Sequence, residues 1–109
     1  MPSYMIQLTY APATVAGFVK TPTDRTEVIK KIAKKVGGKL VGAWLSFGEY
    51  DAVIIIEGSD NVNAVACSMA VTASGAFTKF KTTPLLTAAE GLAAMKKAAG
   101  LDYTPPPGV

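Results

Sequence analysis

The sequence predicts an α+β domain of the split βαβ plan, a four-stranded antiparallel sheet with its helices on one face. Three observations carry that expectation: two β-α-β runs of similar length, a hairpin joining them, and the unbroken apolar stretch Val53-Ile54-Ile55-Ile56 in the third strand. Successive strand side chains point to opposite faces, so an apolar run asks for cover on both sides. The helices of so short a chain can cover only one. A second copy is expected to cover the other, which makes the protein a homodimer or a larger homo-oligomer.

The first strand is Tyr4 to Tyr10, with Tyr4, Ile6 and Leu8 on one face and Met5, Gln7 and Thr9 on the other. Ala11 to Lys20 reads as a loop. Thr21-Pro22-Thr23-Asp24 then supplies a cap, a first-turn proline and an acid at the positive end of a helix dipole. The helix it opens carries Val28, Ile29, Ile32, Ala33 and Val36 at helical spacing, shows Lys30, Lys31, Lys34 and Lys35 to solvent, and stops at Gly37-Gly38. Strand two, Lys39 to Ser46, and strand three, Tyr50 to Glu57, flank the turn Phe47-Gly48-Glu49, where Gly48 supplies the positive φ. Ser59 or Asp60 caps a second helix that ends near Gly75. Strand four spans Phe77 to Thr83, and the capping box Thr87-Ala88-Ala89-Glu90 opens a third helix running to Gly100. Residues 1–102 thus form one domain, and 103–109, with Pro105 to Pro107 in a row, an extended or frayed tail.

Composition narrows function mainly by exclusion. The chain has 109 residues, half of them apolar and 17% charged, which fits one compact domain with little solvent-facing surface. A net charge of +3 with no arginine-rich run and no interleaved aromatics gives no footprint for nucleic acid. No apolar run is long enough to span a bilayer and the first residues carry no charged leader pattern, so no membrane partner and a cytoplasmic location are expected. The single cysteine, Cys67, reads as a small buried hydrophobe in a reducing compartment. There is no histidine, which removes the imidazole base and the commonest metal ligand. No phosphate loop, dinucleotide fingerprint or nucleophile elbow is present either, and no cofactor or metal is expected.

The stretches YMIQLTY, KKVGGKLVGAWLSFGEYDAVIIIEGSD and FTKFKTTPLLT resemble the GYD domain family, with Gly48, Tyr50 and Asp51 matching its named residues. The similarity runs from about Ser3 to Ala89. It implies a ferredoxin-like fold and, more widely, the dimeric α/β barrel group, while implying no activity. The segment Ala11 to Lys20, the C-terminal helix and the proline tail depart from many relatives.

Strand parity gives the candidate site. If Tyr4, Ile6, Leu8, Val41, Ala43, Leu45, Ala52, Ile54 and Ile56 face the helices, the barrel side carries Gln7, Thr9, Leu40, Gly42, Trp44, Ser46, Asp51, Val53, Ile55, Glu57, Lys79 and Lys81. An apolar floor with convergent polar groups suits a small molecule. Asp51 is the candidate catalytic acid or base, because a carboxylate beside an apolar run loses hydration and its pKa rises; structurally it could instead pair with Lys79, Lys81 or a turn amide. Glu57 is second, unless it sits in water at its strand end. Tyr50 could donate to a ligand carbonyl or pack beside its turn. Trp44 could stack on a flat ligand or plug a subunit interface, and Gln7 adds a neutral polar contact. Lys79 and Lys81 could hold an anionic group or guard a sheet edge.

Three readings follow. The first is a protein handling a small hydrophobic or carbonyl-bearing molecule in a dimeric barrel, with turnover an open question. The second is a non-catalytic ligand-binding or sensing module, and the third a structural homo-oligomer whose barrel is filled by its own side chains.

Overall fold

The computed structural model describes residues 2–108, in the order β1 (Ser3–Tyr10), α1 (Pro12–Lys20), α2 (Thr26–Lys35), β2 (Lys39–Leu45), β3 (Ala52–Glu57), α3 (Asn61–Thr72), β4 (Phe77–Leu85) and α4 (Ala88–Ala99). Met1 and Val109, the outer ends of the expected domain and tail, lie outside the described residues. The strands form one sheet in the order β2-β3-β1-β4, each neighbouring pair antiparallel. This is the split βαβ arrangement expected from the sequence.

Alternation along the two central strands decides where the core lies. Tyr4, Ile6 and Leu8 of β1 and Ala52, Ile54 and Ile56 of β3 are all buried, paired as Tyr4 with Ile56, Ile6 with Ile54 and Leu8 with Ala52. Helix α2 lays the fully buried Ala33 on this layer. Its exit is tight at Gly38, where a Cβ would stand 2.5 Å from Ile56 Cγ2 and 3.2 Å from the Glu57 carbonyl oxygen. The Ser59 hydroxyl donates to the Val36 carbonyl at 2.7 Å and ties the β3–α3 turn to the end of α2. Asp60 then caps α3 by accepting from the Asn63 N–H at 2.8 Å. The box at Thr87 and Glu90 closes in both directions, at 3.1 and 3.0 Å.

Four details differ from the sequence reading. Ala11 to Lys20 is a helix rather than a loop: Pro12 takes the first turn, Val15, Phe18 and Val19 share a face, and the Thr14 hydroxyl donates to the Ala76 carbonyl at 2.8 Å. Helix α2 starts at Thr26, so Pro22 precedes it instead of occupying its first turn; Asp24 accepts the Thr26 N–H at 2.9 Å. In β2 the register shifts between Leu40 and Gly42. The resulting bulge turns Leu40 onto the core, opposite Ile56, and leaves Val41 exposed beside Gly42, opposite Ile55, so the expected sides of Leu40 and Val41 are exchanged. Finally β3 begins at Ala52 and β4 runs on to Leu85, through Pro84, which an edge strand tolerates because only one of its sides is hydrogen-bonded.

Candidate functional site

The register lines up the open face of the sheet in rungs. Trp44, Val53, Gln7 and Lys81 form one rung across all four strands. Ile55, Met5 and Thr83 form the next, and Lys39, Glu57, Ser3 and Leu85 the one beyond. In the other direction Thr9 pairs with Lys79, whose ammonium lies 3.8 Å from the Glu49 carboxylate in the hairpin turn. Five sequence-predicted residues, Gln7, Trp44, Glu57, Lys79 and Lys81, therefore share this face. Glu57 stands two rungs from Gln7, about 13 Å at ~3.3 Å per residue, too far to act on the same small group.

Trp44 keeps its place through Gly42. A Cβ at Gly42 would strike the indole at Cη2 and stand 2.7 Å from Cζ2, so the ring lies against the strand where glycine leaves room. The indole is 54% exposed, and Leu45 and Phe47 beside it are 82% and 100% exposed. This end of the hairpin is an exposed apolar surface.

Asp51 and Tyr50 go elsewhere. The Asp51 N–H donates to the Leu8 carbonyl at 2.7 Å, and its Oδ2 accepts the Tyr10 N–H at 2.9 Å, closing the end of β1 where the ladder to β4 slips. The partner is thus a strand-end amide rather than Lys79, Lys81 or an amide of the hairpin turn. Tyr50 offers its carbonyl to the Ser46 hydroxyl at 2.8 Å, and its side chain lines neither concavity described below.

The concavity lies on the opposite side of the sheet, between the buried layer and the helices. A cleft of about 470 Å³ is floored by Ile6, Leu8, Ile54 and Ile56 and walled by Phe18 of α1, Ile29 and Ile32 of α2 and Cys67 of α3. Phe77 and Phe80 close one end with Tyr10, whose ring meets Phe18 edge-on at 5.2 Å and Phe77 at 5.5 Å. Arg25, Val28 and Ser74 form the exposed rim. Arg25, the residue before α2, is the only charged group in the lining, and with Tyr10 it also borders a second groove of about 860 Å³ that contains Asp51, Trp44 and Leu45. Burial raises the Tyr10 hydroxyl above its ordinary pKa, with Arg25 working against the shift and Asp51 adding to it. Burial likewise raises the Cys67 thiol, which keeps it protonated and unreactive.

The cleft opens to solvent at its rim of Arg25, Val28 and Ser74. Water gains few hydrogen bonds from an apolar lining. The cleft is suited to an apolar guest, and its size falls in the range of roughly 300–1,000 Å³ that small-molecule sites occupy.

Sequence reasoning missed Arg25, Tyr10 and Phe18. Reading α1 as a loop removed one wall of the cleft and with it the reason to look on the helix side. Pro12 followed by apolar residues at i, i+3 and i+4 was the available signal. Among the described residues no cluster of three or more His, Cys, Asp or Glu is placed to hold a metal, and no helix is long and apolar enough to cross a membrane.

Sheet order and helix placement define a ferredoxin-like α+β protein. The GYD domain family matches residues 4–95, and the chain belongs to that family. An uncharacterized NIPSNAP domain protein from Burkholderia xenovorans has a similar structure, at 17% identity and a TM-score of 0.51, over 82% of this chain and 96% of that one. A hypothetical protein from Pyrococcus horikoshii matches 80% of this chain and 92% of its own, at 17% identity and a TM-score of 0.47. No curated protein matches in sequence.

Proposed function

We propose that the protein binds a small hydrophobic molecule in the cleft between sheet and helices, without turnover, and that two copies pair through their open sheet faces. The observation that carries the binding reading is the apolar cleft itself, with its single charged rim residue. The reading without turnover is supported by the candidate acid or base: Oδ2 of Asp51 accepts the Tyr10 N–H, a contact suited to a structural tie. Pairing is supported by the open face, where Val53, Ile55 and Met5 are half-buried and Trp44 and Val41 are exposed. On this reading Trp44 is an interface plug. Gln7, Glu57, Lys79 and Lys81 give the interface polar and charged contacts around an apolar centre.

Native mass spectrometry of protein taken directly from cells tests both parts. The expected spectrum shows an even number of subunits, each retaining a small organic adduct. Val28→Trp, which fills the rim from a half-exposed position, is expected to strip the adduct and leave the subunit count unchanged. An adduct that survives Val28→Trp but is lost on Trp44→Ala would move the site to the open face and overturn the assignment.

A further inference from the structure

Building on the cleft as a binding site, we infer that its ligand is a small apolar carboxylate, an alkyl or aryl acid whose hydrocarbon body fills the cleft and whose carboxylate is read by Arg25 and Tyr10.

The argument begins with charge. Arg25 is the one ionic group in an otherwise apolar lining. Among the described residues the ion pairs are Lys30 with Glu27 and Lys79 with Glu49, so no carboxylate lies within 4.0 Å of its guanidinium. Both neighbouring acids are occupied. Asp24 accepts the N–H and the hydroxyl of Thr26 at 2.9 and 2.6 Å, and Asp51 accepts the Tyr10 N–H. A guanidinium at the rim of an apolar cleft, ion-paired with neither acid among the described residues, suits an anionic partner. A planar fork of donors matches a carboxylate in two parallel hydrogen bonds.

Position and protonation reinforce the choice. Arg25 directly precedes α2, so the positive end of that helix dipole borders the same rim and favours an anion there. Tyr10 borders the cleft and the groove together with Arg25, and burial keeps its hydroxyl protonated and able to donate. A larger anion such as a nucleotide would meet no second cation in the cleft and no polar lining for a sugar. An uncharged hydrocarbon would leave Arg25 without a partner.

The probe is decanoate, with decan-1-ol as its uncharged counterpart, titrated calorimetrically into the full chain. Decanoate is expected to bind with one site per chain and more tightly than the alcohol. Arg25→Gln, a change at an exposed position, should weaken decanoate by about tenfold, the scale of a lost charge-assisted pair, and leave the alcohol unaffected. Tyr10→Phe should weaken decanoate by a smaller factor, and Arg25→Lys should restore part of the loss. Methyl NMR shifts at Ile54 and Ile56 on adding decanoate, with Trp44 emission unchanged, would place the probe in the cleft. Equal binding of acid and alcohol, indifferent to Arg25→Gln, overturns the carboxylate while leaving the cleft as a site. Failure of both probes to bind overturns the site and the inference together.

Discussion

At the residue scale, two positions show how local geometry sets what the open face can do. Gly42 leaves room for the indole: in Gly42→Ala the new methyl group must displace the outer ring of the half-exposed Trp44, so the expected result is a shift in tryptophan emission with a stability change within about 0.5 kcal/mol. Unchanged emission would mean that the ring does not lie against the strand. Asp51 is the second. Asp51→Asn keeps an oxygen that can accept the Tyr10 N–H and should cost little, whereas Asp51→Ala leaves that amide unpartnered and should cost about 1–3 kcal/mol in denaturant unfolding. Equal losses in the two variants would point to the charge rather than the hydrogen bond. Legibility at this scale was uneven. Side-chain parity placed Gln7 and Lys81 on one face correctly, because β1 and β4 keep register there, but it could not foresee that the Asp51 carboxylate would turn to the amide of Tyr10.

At the element scale, helix starts were the most readable features when a side chain made the cap. Thr87 with Glu90 is specified by residue type and spacing alone, while the cap of α3 was narrowed to Ser59 or Asp60 and is Asp60. Helix α1 lacks that signal: Ala11 offers no capping oxygen, and its start is stabilised instead by a distant partner, the Ala76 carbonyl, which no local pattern reveals. The bulge in β2 was hidden for a related reason, since the extra residue is set by pairing with β3. A titration follows from the capping box. The Thr87 backbone N–H, aided by its side chain, holds the Glu90 carboxyl below its ordinary 4.5. A depressed folded-state pKa means that the box stabilises α4 above the unfolded value and that this contribution is lost as pH falls through the folded one. In Thr87→Ala, which keeps the backbone N–H and removes only the side chain's share, the Glu90 midpoint, followed by carboxyl NMR shifts, should rise part of the way toward the ordinary value. The same helix buries no side chain, so deleting residues 88–109 should leave the unfolding midpoint of the monomer nearly unchanged; a large drop would show that α4 covers part of the core.

At the scale of the whole molecule, a single sheet serves two purposes by alternation. One set of β3 side chains, Ala52, Ile54 and Ile56, faces the helices, and Ile54 and Ile56 floor the cleft; the interleaved set, Val53, Ile55 and Glu57, faces outward. The apolar run that made the third strand conspicuous in the sequence is explained if both sides are covered, one by helices and a guest, the other by a twin. The pattern of the sequence was enough to infer the layers. It was not enough to find the concavity, which depends on how far α1, α2 and α3 stand off the sheet. Methyl NMR on the Ile and Val side chains of β3 resolves the two sides directly. Adding decanoate should shift Ile54 and Ile56 and leave Val53 and Ile55 in place, while dilution should move Val53 and Ile55 alone. Shifts at Val53 and Ile55 on adding the acid, with Ile54 and Ile56 silent, would contradict the account.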